Sequence, residues 1–208
     1  MYVLSIDVGL INMGLVGVYV GEDYKIDRWK FATKVNIQRL CVNCRCRSTC
    51  GLRHERTFCD YIDHLVQVYQ SDFEECDYII IERQPPVGFV VIQELILNKF
   101  RNKTVIVSPN SVHKFHNISQ FDYEGRKTES LRIALDTMGG VFDTFQIANC
   151  ERQHDVADAV CQLLFWLDKT RTASKPAATP FNKFALFIPP SSKRVIHDFS
   201  MFEYRGAL

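Results

Sequence analysis

The chain has 208 residues, of which 47% are hydrophobic and 24% charged, and its formal net charge is +1 at pH 7. This length corresponds to one domain, or to one domain with an insertion, and the composition excludes a globally disordered chain. Because the charge is nearly balanced, any surface for a polyanion must come from local clusters of basic residues. We see neither an apolar run of about 20 residues that could cross a bilayer nor the basic start of a signal peptide, so we expect an intracellular protein with no membrane partner.

The hydrophobic pattern predicts three strands, followed by helices that alternate with two further strands. In chain order, the predicted strands are 2–8, 14–20, 24–32, 77–83 and 105–107, and the predicted helices are 58–69, 89–100, 128–138 and 154–169. The strand at 77–83 has a continuous apolar centre, which is typical of a strand covered on both faces. This order predicts an α/β fold with a mixed five-stranded sheet flanked by helices.

We expect a single domain over residues 1–208 with two basic segments outside the regular elements. The first is a Cys-rich insertion at about 33–56, where six Lys and Arg residues accompany one acid, Glu55. The second is a basic C-terminal tail at about 170–208, and residues 169–194 contain six basic residues and no acid. Both segments are candidates for contact with nucleic-acid phosphates, and the alternative is a solvated surface or tail.

Four acidic residues stand where a carboxylate is unfavourable unless it is paired or bound to a cation. Asp7 follows the apolar residues of the first strand, and Glu82 follows three isoleucines. Asp155 and Asp158 share one face at the start of the last helix, and Glu151 lies one turn earlier. Carboxylates suit Mg²⁺ or Mn²⁺, and four can hold two ions about 3.5–4 Å apart that promote phosphodiester hydrolysis. Taken singly, each acid can instead cap a turn or complement a helix dipole.

Several segments together resemble a known family. Residues 5–12 (SIDVGLIN) resemble the first-strand motif of RuvC-type Holliday junction resolvases, which belong to the RNase H-like superfamily. Residues 81–85 (IERQP) resemble the second motif, most closely its form in the resolvases of poxviruses and related large DNA viruses. Residues 154–159 (HDVADA) resemble the C-terminal helix motif, and 107–109 followed by 125–127 resemble the basic segment between these motifs.

The resemblance, which spans roughly residues 1–168, implies an RNase H-like fold and a homodimeric, Mg²⁺-dependent endonuclease that cuts branched DNA at four-way junctions and needs no nucleotide cofactor. It implies catalytic residues that bind two Mg²⁺ or Mn²⁺ ions, namely Asp7, Glu82, Asp155 and Asp158. It also implies that Lys127, or its neighbour Arg126, contacts DNA phosphates. The role of His154 is left open. If the source is a virus, we expect the protein in the host cytoplasm or nucleus.

Three other functions are compatible with parts of this pattern. A different RNase H-like nuclease, acting on RNA, flaps or hybrids, would use the same carboxylates. Sugar kinases and actin-like ATPases begin with a similar first strand, but they need a duplicated domain and roughly twice this length. A non-catalytic DNA-binding protein would not need all four acids.

The cysteines indicate a second metal site. Five of the eight lie between Cys41 and Cys59, and thiolates at such close spacing favour tetrahedral Zn²⁺. The candidate zinc ligands are Cys41, Cys44, Cys46 and Cys50, with His54 or Cys59 as alternatives for one position. Because the segment lacks two separated ligand pairs, reduced thiols without metal are the alternative. The remaining cysteines, Cys76, Cys150 and Cys161, are isolated and are expected to be packing residues.

Overall fold

The computed structural model describes residues 1–44, 50–145, 147 and 152–174. Its strands form one sheet with the order β3-β2-β1-β4-β5. They are β1 (Tyr2–Asp7), β2 (Met13–Val20), β3 (Ile26–Val35), β4 (Tyr78–Glu82) and β5 (Thr104–Val107). β2 is antiparallel to both β1 and β3, whereas β4 is parallel to both β1 and β5. The predicted mixed five-stranded sheet is therefore confirmed.

Helices pack on both faces of this sheet. Those in the described residues are α1 (Ile37–Val42), α2 (Phe58–Val68), α3 (Gln70–Glu75), α4 (Val90–Lys99), α5 (Pro109–Phe115), α6 (Tyr123–Met138), α7 (Val141–Thr144) and α8 (His154–Ser174). The four predicted helices correspond to α2, α4, the later part of α6, and α8. The other helices have four to seven residues each, which is too short for a periodic apolar pattern to be recognised.

The start of α6 differs from the sequence prediction. The polar, basic sequence of residues 120–127 predicts a loop, with the helix starting only at residue 128, but α6 begins at Tyr123. Asp122 caps the helix, because its side chain accepts a hydrogen bond of 2.8 Å from the backbone N–H of Gly125 and so satisfies a donor that the helix start leaves unpaired. The loop prediction is wrong from Tyr123 onward, and Arg126 and Lys127 lie in the first turns of a helix.

Two separate cores lie on the two faces of the sheet. Successive side chains of a strand point to opposite faces, so Val3 and Ile80 belong to the core under α8, whereas Leu4, Ile79 and Ile81 belong to the core under α2 and α4. β4 lies between β1 and β5, and its isoleucines are fully buried. The prediction of a strand covered on both faces is therefore confirmed.

Several remaining predictions concern the ends and the isolated cysteines. Cys76 and Cys161 are buried in the two cores, as expected for packing residues, and Cys150 lies outside the described residues. Residues 170–174 form the end of α8, and the rest of the predicted basic tail also lies outside the described residues. Within the described part of the chain, every helix is too short or too polar to span a membrane.

Candidate active site

Asp7 and Glu82 end two neighbouring parallel strands at the same edge of the sheet. Ile6 of β1 pairs in register with Ile81 of β4, so the acidic residues that follow them lie at the same level. The two-residue period of a strand places both acids on the face that α8 covers. Two side chains that are far apart in the sequence are thereby brought together by strand register alone.

Two contacts hold the start of α8 against this edge. The hydroxyl of Ser5, on the same face of β1 as Asp7, donates a hydrogen bond of 2.8 Å to the backbone carbonyl of Ala159. Gly14, the register partner of Asp7 on β2, lies under the first turn of α8, where a Cβ atom would come within 2.0 Å of the carbonyl oxygen of Asp155. Glycine therefore allows the helix to approach the strand that carries Asp7.

A cleft of about 200 Å³ opens between this sheet edge and helices α5, α6 and α8. Three of the four acids predicted from the sequence line it, namely Asp7, Glu82 and Asp158. The other polar and basic residues of its lining come from α5 and α6: His113, Tyr123, Arg126, Lys127 and Ser130. The structure thus places both predicted basic residues beside the acids.

The pKa values of two acids of the cleft, Asp7 and Glu82, are raised. Burial raises the pKa of Asp7 well above its ordinary value, and the negative charges of Asp158 and Glu82 raise it further. Burial, followed by repulsion from Asp158, raises the pKa of Glu82 to about 7, while the nearby charge of Lys127 opposes this increase. When these carboxylates are ionised at neutral pH they repel one another, and a bound cation would relieve this repulsion.

Lys127 supplies part of the compensating charge. Its Nζ atom forms an ion pair with Asp158, and both side chains are about one-fifth exposed. Burial acts to lower the pKa of Lys127, but the charges of Asp158 and Asp7 outweigh it and raise that pKa above its usual value. Lys127 is therefore a cation held inside the acidic cleft.

Asp155 is placed differently from the other three acids. It is buried, with 6% of its side chain exposed, and its carboxylate accepts a hydrogen bond of 3.1 Å from Nε of Arg152. Nε2 of His154 lies 3.6 Å from the other carboxylate oxygen, and burial lowers the pKa of His154. Asp155 is not one of the described residues that line the cleft. Its charge nevertheless contributes to the raised pKa of Asp7.

Tyr123 and His113 are among the cleft residues that were not predicted from the sequence. Tyr123 lies one turn before Lys127 on α6, and Nζ of Lys127 is 5.5 Å from the centre of its ring. Recognising Asp122 as a helix cap would have placed Tyr123 and Lys127 on one helix face. His113 lies on α5, a helix of seven residues, and its sequence carries no comparable signal.

The donor set of the cleft fits a hard divalent cation. Its three carboxylates offer oxygen ligands, which Mg²⁺ and Mn²⁺ prefer to sulfur or nitrogen. These acids do not form a compact ligand group in the described part of the chain: their oxygen atoms do not belong to any set of three or more potential ligand atoms that lie within 4.8 Å of one another. The carboxylates must therefore come closer together to share an ion.

The Cys-rich segment forms a different cluster. The ligand atoms of Cys44, Cys50, His54 and His64 all lie within 4.8 Å of one another. His64 was not predicted as a ligand. Of the other candidates, Cys41 is fully buried in the core under α2 and Cys59 is exposed, and neither belongs to this group; Cys46 lies outside the described residues. Among the described residues, Cys44 and Cys50 are therefore the only members of the predicted set Cys41, Cys44, Cys46 and Cys50 that lie in this group; His54, the predicted alternative, also lies in it.

No protein-family model matches the chain, and no curated protein matches its sequence. The chain itself has a mixed five-stranded sheet whose neighbouring strands β1 and β4 end in acids and whose one face is covered by the long helix α8. This agrees with the resemblance to RuvC-type resolvases seen in the sequence motifs.

Among solved structures, the chain is similar to the fowlpox virus resolvase in a complex with its substrate Holliday junction DNA, with a TM-score of 0.58 and 13% identity over 82% of this chain and 99% of that chain. A second structure of the fowlpox virus Holliday junction resolvase matches with a TM-score of 0.55 and 14% identity, over 82% of this chain and 99% of that chain. The structure of a yeast mitochondrial Holliday junction resolvase matches with a TM-score of 0.49 and 16% identity, over 82% of this chain and 83% of that chain. The likeness to the fowlpox virus protein establishes the fold, and the predicted RNase H-like fold is confirmed.

Proposed function

We propose that this protein is a structure-specific endodeoxyribonuclease that resolves four-way DNA junctions by metal-dependent phosphodiester hydrolysis. One observation carries the proposal: carboxylates from two neighbouring strands and from the covering helix, Asp7, Glu82 and Asp158, line a single cleft with two basic residues. The fowlpox virus resolvase, which shares this fold, is described with Holliday junction DNA as its substrate. The shared fold, together with the acidic cleft of this chain, supports the same class of reaction here.

The acids would hold two Mg²⁺ or Mn²⁺ ions, which supply a water nucleophile at neutral pH and neutralise the charge on the leaving oxygen. The charges of both Glu82 on the next strand and Asp158 on α8 act on Asp7, so Asp7 is suited to be the shared ligand. Glu82 is then a ligand on the strand side and Asp158 on the helix side. Asp155 becomes a metal ligand only if its carboxylate breaks the ion pair with Arg152 and binds an ion instead.

Two basic residues are positioned for the DNA phosphates. Lys127 lies inside the cleft, where its ammonium group can bind a phosphate oxygen as a point charge. Arg126 lines the acidic cleft and also an adjoining surface pocket with Lys114 and Asn110. A phosphodiester backbone could follow this polar path from α5 into the cleft. The contacts are directed at the backbone, so junction preference would come from DNA shape.

We also propose that the active species is a homodimer, because two symmetrical incisions across one junction require two active sites related by a two-fold axis. The apolar sequence of the predicted helix 89–100, which contains α4, suits either a dimer interface or the core, and the core is the more usual role. Ile92 and Ile96 of α4 are fully buried within the chain, so this helix packs into the core. Molar mass from light scattering, with and without a junction, tests the oligomeric state.

The decisive experiment is incubation of the full chain with a labelled four-way junction in EDTA, in Mg²⁺ and in Mn²⁺. We expect paired incisions that require a divalent ion. Asp7→Asn should keep junction binding and lose cleavage by at least about 100-fold, as expected when an electrostatic group of the reaction centre is removed. Asp168→Asn is the matched control, because Asp168 lies on α8 but pairs with Arg171 at the surface.

Parallel reactions with linear duplex, a flap and an RNA/DNA hybrid define the substrate. Faster cutting of a flap or a hybrid would assign the cleft to another RNase H-like nuclease. Near-normal cutting by Asp7→Asn in Mg²⁺, or binding without cutting by the unmodified chain, would overturn the nuclease proposal.

A further inference from the structure

The cluster of two cysteines and two histidines between α1 and α2 is separate from the acidic cleft. Cys44 follows the end of α1, Cys50 and His54 lie in the segment before α2, and His64 lies within α2. Helix α2 packs in the core with Leu4 and Ile6, whereas α8 covers the opposite face of the sheet. We propose that these four residues form a structural Zn²⁺ site.

The spacing of the ligand atoms fits one tetrahedral ion. Bonds of about 2.0–2.1 Å to nitrogen and 2.3 Å to sulfur place two nitrogens of a tetrahedron about 3.3 Å apart and a nitrogen and a sulfur about 3.6 Å apart. The Nε2 atoms of His54 and His64 are 3.1 Å apart, and Sγ of Cys50 is 4.0 Å from Nε2 of His64. Small movements of the side chains are enough to bind the ion.

The hydrogen bonds of His64 fix which of its nitrogens faces the cluster. Its Nδ1 lies 2.7 Å from the backbone carbonyl of Asp60, and because a carbonyl only accepts, Nδ1 carries the proton. Nε2 then presents a lone pair toward His54 and Cys50, as a metal-binding imidazole requires. A histidine that is oriented by a carbonyl on its other nitrogen is the usual arrangement around zinc. His64 is also 2% exposed, so its ring is held in place by packing.

The donor types select the metal and its role. Two thiolates and two imidazoles favour Zn²⁺ over Mg²⁺, which prefers oxygen. Because four protein ligands complete a tetrahedron, the ion has no open position for a substrate, and its role is structural. The ion would fasten the connection between α1 and α2 to the buried face of α2. This connection carries the exposed side chains of Arg53 and Arg56, so the site would also fix a basic surface.

Metal analysis of the purified full chain tests the proposal without relying on nuclease activity. We expect one zinc per chain, and we expect Co²⁺ to replace it with the visible spectrum of a tetrahedral site with two thiolates. Cys50→Ser and His64→Ala should lose the ion, whereas Cys46→Ser and Cys59→Ser should retain it. His54→Cys should also retain it, because a site of three cysteines and one histidine is an accepted zinc ligand set.

These variants separate loss of metal from loss of fold. If Cys50→Ser is insoluble, the unmodified chain and the His54→Cys variant still report the number of thiolates through the Co²⁺ spectrum. Absence of zinc or cobalt binding, or loss of zinc in Cys46→Ser with retention in His64→Ala, would overturn the assignment. After removal of all metal by a chelator, Mg²⁺ alone should leave the melting temperature lowered, and added Zn²⁺ should restore it. A zinc-loaded chain that fails to cut junctions would refute the nuclease proposal and leave the zinc site intact.

Discussion

Replacing Glu82 by glutamine should stabilise the metal-free protein while removing its activity. The pKa of Glu82 is about 7 in the folded chain, against an ordinary value of 4.5, mainly because of burial and then of repulsion from Asp158. Since one pKa unit corresponds to about 1.4 kcal/mol, ionising Glu82 in the fold costs about 3 kcal/mol more than in the unfolded chain. Glutamine has nearly the same shape and no charge, so it avoids this cost.

The sign of the pH dependence follows from proton binding. Between pH 4.5 and about 7 the folded chain retains a proton on Glu82 that the unfolded chain has lost, so the free energy of unfolding falls as the pH rises through this window. Below the window both states are protonated, and glutamine brings no electrostatic gain. We therefore expect Glu82→Gln to be more stable than the unmodified chain by about 1–3 kcal/mol at about pH 8 and by much less at about pH 4.

Urea denaturation in EDTA at the two pH values measures this difference. Glu22→Gln is the control, because Glu22 is exposed in the connection between β2 and β3, and it should be neutral at both. Added Mg²⁺ should stabilise the unmodified chain more than Glu82→Gln, and only the unmodified chain should cut junctions. Equal stability of the two proteins at about pH 8, or the same gain at both pH values, would refute the reasoning from buried charge.

Two further predictions concern the residues that shape the cleft. Gly14→Ala should lower the free energy of unfolding by about 1–3 kcal/mol and reduce cleavage, because its Cβ would collide with the carbonyl of Asp155. Gly51→Ala is the control, because a Cβ at that position meets no atom within 4 Å. A Gly14→Ala protein with unchanged stability and cleavage would contradict the proposed helix contact. Lys127→Gln should reduce the cleavage rate by about 100-fold with a smaller loss of junction affinity, as gel-shift and single-turnover assays would show, and unchanged cleavage would remove Lys127 from the site.

Most of the fold and three of the four acids could be predicted from the sequence because the relevant signals are local. Asp7 and Glu82 follow apolar strands, and parallel register brings such strand ends together. Asp158 lies on a long helix with a clear apolar face. The pairing of Asp155 with Arg152 was not predictable in the same way, because an aspartate in a first helical turn looks the same whether it faces a cleft or a basic neighbour.

The proposed zinc ligands show where local reasoning fails. Cysteine spacing suggested Cys41, but helix α1 directs this residue into the core. His64 belongs to the helix that also buries Ile62 and Leu65, so in the sequence it looks like a packing residue. Only the fold of the connection before α2 brings His54 against it. Ligands contributed by different elements depend on tertiary structure and leave no fixed spacing.

The ion pair between Lys127 and Asp158 gives the proposed nuclease an internal competitor for its metal. While the ammonium group remains on Asp158, an incoming ion must displace it, so metal affinity is lower than that of an unpaired carboxylate set. In the proposed mechanism, a phosphate group bound by Lys127 would draw the ammonium away and free Asp158, so DNA and metal would strengthen each other's binding by the same factor. The enzyme would then acquire its full complement of ions mainly on DNA, which limits stray hydrolysis by the free protein.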